Sequence, residues 1–277
     1  MKTSILSKLI ILIGCLLVAL PGSSQDINVR RIKKLPIDHK AYFPSFGTHK
    51  RQVVLTQANY RGISLYNTFW RRETVISEEP GAGKEVAFPG KNEVLYRERT
   101  PAGEDADYTY KTYDLKDKEY AEAEKPRSAQ LEVRVDRKQL LLVQHGEVVR
   151  KMDPVGDHYY IWASLSPDGR RLLFTAAGKG TYVTDLDGNV VANLGMLNDP
   201  GWMNEEWVLG MEDQDDGERV LSSNVVARHV PSETRVNLTR DFDGIALYPE
   251  SSPEAERIVF HNPQGEIFIA NIRIKNP

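Results

Sequence analysis

Residues 162–189 read WASLSPDGRRLLFTAAGKGTYVTDLDGN, and their pattern predicts three short strands. Residues 164–166 lead into a tight turn at Pro167, Asp168 and Gly169. A continuous apolar run follows at 172–175. Residues 180–186 form the third segment, which ends at Asp187 and Gly188. Asp-Gly between apolar runs is a strong hairpin signal, because type I′ turns need positive φ and glycine supplies it. Such a meander cannot bury both its faces alone, so it needs neighbours of its own kind.

The sequence contains those neighbours. Residues 248–260 (YPESSPEAERIVF) match 162–174 position for position, with Pro253 at the place of Pro167. Residues 265–272 (GEIFIANI) match the third strand, and 44–56 (PSFGTHKRQVVLT) match 163–175. The offsets are close to two and three periods of about 40 to 43 residues, the blade length of propeller repeats. Weaker copies fall at 86–96, 131–143 and 201–210.

Counting strands between these anchors predicts an all-β, six-bladed β-propeller of four-stranded antiparallel blades. Blade one is expected from residue 42 and blade two from 86. A compact blade three spans 131–152, and blade four is the template. Blade five starts near Trp202 and blade six at Tyr248. Continuous apolar runs at 53–55, 140–142, 172–174 and 258–260 suit strands buried on both faces. Blade six lacks a fourth strand, while 27–32 alternates apolar and polar residues with no hairpin partner. The N-terminal strand is therefore expected to complete the last blade and close the ring, leaving no open edge.

Residues 1–24 read as a secretory signal peptide. Lys2 and Lys8 precede an apolar run up to Leu20, too short to span a bilayer in a mature chain. Leu12-Ile-Gly-Cys15 loosely resembles a lipobox, but the apolar run continues past Cys15. Cys15 is the only cysteine, so a mature chain from residue 25 has no disulfide and no thiol chemistry. Residues 25–277 form one expected domain, periplasmic or secreted and monomeric, with no transmembrane segment. The formal charge of the whole chain is −3, and loss of Lys2 and Lys8 makes it more acidic. That balance gives no general attraction to nucleic acid.

The repeat residues resemble a known family. Ser166-Pro-Asp-Gly-Arg-Arg-Leu-Leu-Phe174, then Thr181-Tyr-Val-Thr-Asp-Leu-Asp-Gly188, is similar to the WD-repeat-like module of TolB-type propellers. Asn237-Leu-Thr-Arg followed by Tyr248-Pro-Glu-Ser-Ser-Pro253 resembles that module's blade junction. Blade five departs from it, with Trp202-Met-Asn-Glu-Glu-Trp207 in place of the Ser-Pro-Asp-Gly turn. The resemblance implies a periplasmic, non-catalytic, protein-binding propeller. TolB-type proteins also carry an N-terminal α/β domain, for which there are too few residues ahead of blade one.

Motifs for chemistry are sparse. Gly81-Ala-Gly-Lys84 is not a phosphate loop, since Glu78 and Glu85 stand where that motif needs Gly and Ser or Thr. A Gly-x-Ser-x-Gly elbow is absent. Ser164, Ser166, Ser251 and Ser252 sit at strand–turn junctions, where hydroxyls cap turns. The six histidines show no metal-ligand spacing, and His49 falls at the turn position of Asp168. No cofactor and no metal are expected. Fold leaves function open, and a second reading stays in view. It is a hydrolase or polysaccharide lyase with a metal-assisted channel site, using His158 and nearby acids.

The acidic clusters are the most suggestive feature. Asp213, Asp215 and Asp216 lie in the expected second-to-third connection of blade five, and Asp105 and Asp107 in that of blade two. Asp241 and Asp243 lie between blades five and six. In a four-stranded blade these connections emerge on one face, and variable loops carry binding. Tyr159, Tyr160, Trp162 and Trp202 are expected near the same face, as partner anchors or as packing between blades. Asp105, Asp107, Trp202, Asp213, Asp215, Asp216, Asp241 and Asp243 are accordingly the expected binding residues for a protein or peptide of the cell envelope.

Overall fold

The computed structural model describes residues 26–99, 108–125 and 131–275; the signal peptide expected over residues 1–24 lies outside them. Six separate antiparallel sheets follow one another along the chain, which makes the molecule a six-bladed β-propeller. Blade one consists of Tyr42–Phe46, Gln52–Thr56, Ile63–Asn67 and Arg72–Ser77. Blade two consists of Ala87–Gly90, Glu93–Arg99, Tyr108–Asp114 and Tyr120–Ala123. Blade three has three strands among the described residues, Leu131–Asp136, Gln139–Gln144 and Glu147–Met152. Blade four is Tyr160–Leu165, Arg171–Ala176, Gly180–Asp185 and Val190–Gly195. Blade five is Asn198–Trp202, Trp207–Asp215, Val220–His229 and Arg235–Asn237. Blade six is Leu247–Ser251, Arg257–His261 and Ile267–Ile274.

The fourth strand of blade six is Ile27–Lys34, which pairs antiparallel with Ile267–Ile274 from Ile27↔Ile274 to Lys34↔Phe268. Ile27 is buried, and Val29 and Ile32 pack on the same core. The next residues continue the join, with the Leu35 amide bonded to the Ile267 carbonyl and the Ala41 amide to that of Gly265.

The apolar runs show why blades stack. Along Arg171–Ala176, Leu172 and Phe174 enter a core shared with Leu140, Leu142 and Tyr160 of blades three and four. Leu173 enters the next core, with Leu197, Val208 and Val226 of blade five. A strand with period two and apolar residues at every position thus serves two inter-blade cores. Each such residue contributes about 1.5–3 kcal/mol when fully buried.

The repeated turn has a chemical basis. Ser166 Oγ accepts from the amides of Arg170 (3.2 Å) and Arg171 (2.9 Å) and donates to Asp168 (2.6 Å). Ser252 Oγ accepts from Glu256 and Arg257 in the same way. In blade five Asn204 Oδ1 takes over, accepting from the amides of Glu206 and Trp207. His49 Nδ1 accepts from the Arg51 amide, so it fills the turn role of Asp168. The 81–84 segment is packed into the fold: Ala82 is buried, and a side chain at Gly83 would strike Thr56.

Candidate functional site at the mouth of the channel

The innermost strands share an irregularity. Register with the second strand slips between Tyr42 and Ser45, Ala87 and Gly90, Ile161 and Ser164, Asn198 and Gly201, and Leu247 and Glu250. The bulged residues are Phe43, Phe88, Trp162, Asp199 and Tyr248. Four of them, Phe43, Trp162, Asp199 and Tyr248, have φ between 45° and 50°. A left-handed non-glycine residue costs roughly 1–3 kcal/mol and is held only where surrounding structure imposes it. Proline follows in Pro44, Pro89, Pro200 and Pro249, which a bulge tolerates because no ladder amide is needed there.

The bulge brings side chains of neighbouring blades together around the axis. Phe43 stands edge-on to Tyr248 at 4.6 Å between ring centroids, and Tyr60 stacks on Phe43 at 4.6 Å. Tyr60 is delivered by a short turn, Ala58–Tyr60, with left-handed residues Asn59 and Tyr60. His261 lies parallel to Tyr248 at 5.4 Å and edge-on to Phe43 and Tyr42. Its Nδ1 is 2.8 Å from the Asn262 carbonyl, so Nδ1–H donates. Burial holds the imidazole below its usual pKa, and the neutral ring leaves Nε2 as a buried acceptor without a partner.

Two carboxylates complete the mouth. Asp199 takes the bulge position in blade five, and burial raises its pKa to about 6. Glu250 lies just below Tyr248 on the same strand. Its side chain is exposed, yet protein atoms crowd the carboxyl on the inner strand. Desolvation, with the Asp199 charge second, raises it to about 7. Blades one, two, four and five place Ser45, Gly90, Ser164 and Gly201 at its level, all small. Tyr248 and Tyr60 are also raised, by burial first and by the nearby Asp199.

Asp213 reaches the rim, accepting from Asn198 Nδ2 at 2.7 Å, and its charge is felt by Tyr248. The remaining expected residues scatter. Asp215 and Asp216 are not in a long loop, because blade five's second and third strands run up to Asp215 and from Val220. They cap the tight turn between them by accepting from the amides of Gly217, Glu218 and Arg219. Glu212, in the same acidic run, is held by Arg228 and Arg235. Asp241 and Asp243 are exposed on either side of Phe242, whose ring anchors the connection against Phe260 and Phe268. Asp105 and Asp107 lie outside the described residues.

Trp202 is a correction. It pairs with Val208, whereas Asn198 pairs with Met211 toward the acidic hairpin. Trp202 therefore ends the inner strand on the face of the tight turns, opposite the mouth, where Arg171 stacks on it at 5.7 Å. Tyr160 serves the core, edge-on to Phe174 with its hydroxyl donating to the Gly156 carbonyl. Sequence reasoning missed Phe43, Tyr60, Asp199, Tyr248, Glu250 and His261 as a group. The signal that could have found them is the aromatic- or Asp-Pro dipeptide recurring on the inner strands of blades one, two, five and six.

Other surfaces offer less unmet chemistry. A groove of about 850 Å³ lies between blades one and two, but its Glu98 is already bonded to Ser77 and Lys111. Among the described residues, no group of three or more His, Cys, Asp or Glu is placed to hold a metal ion. No helix among them is long and apolar enough to cross a membrane.

No protein-family model matches the chain, and no curated protein matches it. Among solved structures it is similar to the β-propeller domain of Cps50 (Swd1) from Myceliophteria thermophila. The TM-score is 0.55 at 9% identity, over 89% of this chain and 99% of that one. The fold is a WD40-like β-propeller. At that identity the likeness concerns fold alone, so function must come from the site.

Proposed function

We propose that the protein is a non-catalytic binding propeller, secreted or periplasmic and monomeric, that docks a protein or peptide of the cell envelope on its mouth face. The observation that carries this reading is the channel mouth itself. Asp199 and Glu250 are carboxylates with no hydrogen-bonding partner among the described residues, held beside Phe43, Tyr60 and Tyr248. Desolvating an unpaired carboxylate is costly, and perturbed groups in a concave site point to binding or chemistry. Aromatic rings at the centre of a concave face are the usual energetic anchors of an interface. The extended hairpin of blade five, with Asp213 at its base, rises beside the mouth and enlarges that face. The signal peptide and the resemblance of Ser166–Phe174 to TolB-type repeats support the location and the binding role.

The test is capture of partners from envelope extract. Tyr248→Ala, and separately Asp213→Asn with Asp215→Asn and Asp216→Asn, are compared with the unaltered protein. Loss of the same partner with Tyr248→Ala supports docking at the mouth. If every captured protein is retained by both variants at all salt concentrations, the mouth face is not the docking face.

A further inference from the structure

We propose that the mouth receives an organic cation, a lysine or arginine side chain of the partner, with Asp199 and Glu250 as counter-ions and the Phe43, Tyr60 and Tyr248 rings around it. The inference rests on the docking reading and specifies what enters.

The site is built of acceptors and π faces. Asp199 and Glu250 supply carboxylate oxygens, and His261 Nε2, in a ring only 3% exposed, supplies a lone pair with no partner. At the level of Glu250 in blade four, Ser164 Oγ is also buried without a partner. These orphaned atoms are independent of the carboxylates, and they lie around the same opening. Among the described residues no positive charge answers them. The charges felt by Asp199, Glu250, Tyr60 and Tyr248 are those of one another and of Asp213, and none is basic. Elsewhere carboxylates of this protein do find cations, as Glu212 does with Arg228 and Arg235. The described residues of the mouth therefore lack the positive charge that their own surroundings call for.

Shape agrees with charge. Tyr248 and Phe43 meet edge to face and Tyr60 covers Phe43, which presents ring faces at differing angles. Cations are attracted to such faces, more strongly where water is excluded. Below the rings, blades one, two, four and five place the small residues Ser45, Gly90, Ser164 and Gly201 at the level of Glu250. A long aliphatic stem passing the rings would bring its charged head to Glu250, an arrangement lysine and arginine side chains suit.

Binding should strengthen with pH. Asp199 and Glu250 must be ionised to attract a cation, and burial delays their ionisation to near neutrality. Tyr60, Tyr248 and neutral His261 face them without changing charge over that range, and Asp213 is the remaining titratable neighbour.

The experiment titrates the full protein with acetyl-Gly-Lys-Gly-amide, acetyl-Gly-Arg-Gly-amide and the neutral acetyl-Gly-Gln-Gly-amide, followed by amide and aromatic chemical shifts. One cationic peptide should bind while the neutral one does not, and the better of the two identifies the side chain. Combining Asp199→Asn with Glu250→Gln, nearly isosteric changes, should weaken it about tenfold or more. Glu250→Gln alone serves if the pair fails to fold. The proposal is overturned if neither cation binds up to about 10 mM, a very weak affinity, or if the neutral peptide or the altered protein binds equally. The docking reading fails separately. Partner capture lost with Tyr248→Ala but kept with the two carboxylate changes leaves docking standing without the cation, whereas capture kept with both removes docking as well.

Discussion

Blades four and five have the same topology, and they spend their residues differently. Blade four follows the repeat closely: Ser166 and Asp168 close its first turn, Asp185 caps its last, and Trp162 takes the bulge. A turn of three residues joins its second and third strands. Blade five replaces the serine turn with Asn204, puts Asp199 at the bulge, and extends the same two strands into a hairpin of nine and ten residues. Its core positions, Val208 and Val226, still meet those of blade four. The shared packing fixes the ring, and the departures from the repeat carry the candidate site. A repeat protein is thus most informative about function where its period breaks.

The most severe way to break this comparison is to open the ring that holds both blades. Removing residues 25–35 strips the partner strand from Ile267–Ile274. Each lost ladder bond is worth about 0.5–1.5 kcal/mol net, and the buried Ile27 about 1.5–3 kcal/mol. The sum rivals the roughly 5–15 kcal/mol that holds a domain together. The truncated chain should show no cooperative melt and should aggregate. Val29→Asp should lower the melting temperature sharply and Arg30→Asp should hardly move it, because Val29 packs on the core and Arg30 is exposed. Equal melting of all three with the unaltered protein would show that this strand is dispensable.

A smaller effect sharpens the contrast from the blade-four side. Phe174 is fully buried between blades three and four. Phe174→Ala should cost about 3–5 kcal/mol in denaturant unfolding, with ligand binding at the mouth unchanged in the fraction that remains folded. A loss under about 1 kcal/mol would mean that the inter-blade cores are looser than their burial indicates.

The smallest change has the opposite sign. Asp199 titrates near its ordinary value of 3.8 when unfolded and near 6 in the fold. Between those values the folded chain holds a proton that the unfolded chain has released. Stability is therefore greatest at low pH and falls as pH rises through that window, by up to about 3 kcal/mol. Asp199→Asn should be about 1–3 kcal/mol more stable than the unaltered protein at about pH 8 and nearly equal to it at about pH 4. No gain at the higher pH would mean that the carboxylate is compensated in solution, and the case for an unanswered charge would weaken.

The fold was legible because it is periodic. Pro167, Pro253 and the apolar runs recur in phase, and the spare strand at Ile27 was countable against the short last blade. The site was not legible because it depends on a backbone conformation. Trp162, Asp199 and Tyr248 are unremarkable in composition, and only the left-handed bulge turns them toward one axis. Glu250 sits within Pro-Glu-Ser-Ser-Pro, which reads as a turn. The acidic run near Asp213 read as a loop because Asp and Glu are poor strand formers, but Arg228, Arg235 and Asn198 hold it in the sheet. Trp202 was placed on the wrong face because its position at the far end of a five-residue strand, rather than at its start, cannot be told from the residues alone.

The pairing of Ile27 with Ile274 also sets an order of events during synthesis. The strand Ile27–Lys34 leaves the ribosome before the other strands of all six blades and finds its partner only when Ile267–Ile274 has emerged. Until then five growing blades have an open seam, and a chain stopped before Ile267 has nothing to lay against that strand. Closing a loop of almost the whole length costs more entropy than any other contact in the ring, and such distant pairings are slow to form. Emergence of Ile267–Ile274 is thereby the trigger for ring closure, and a copy lacking that strand advertises itself by two unpaired edges.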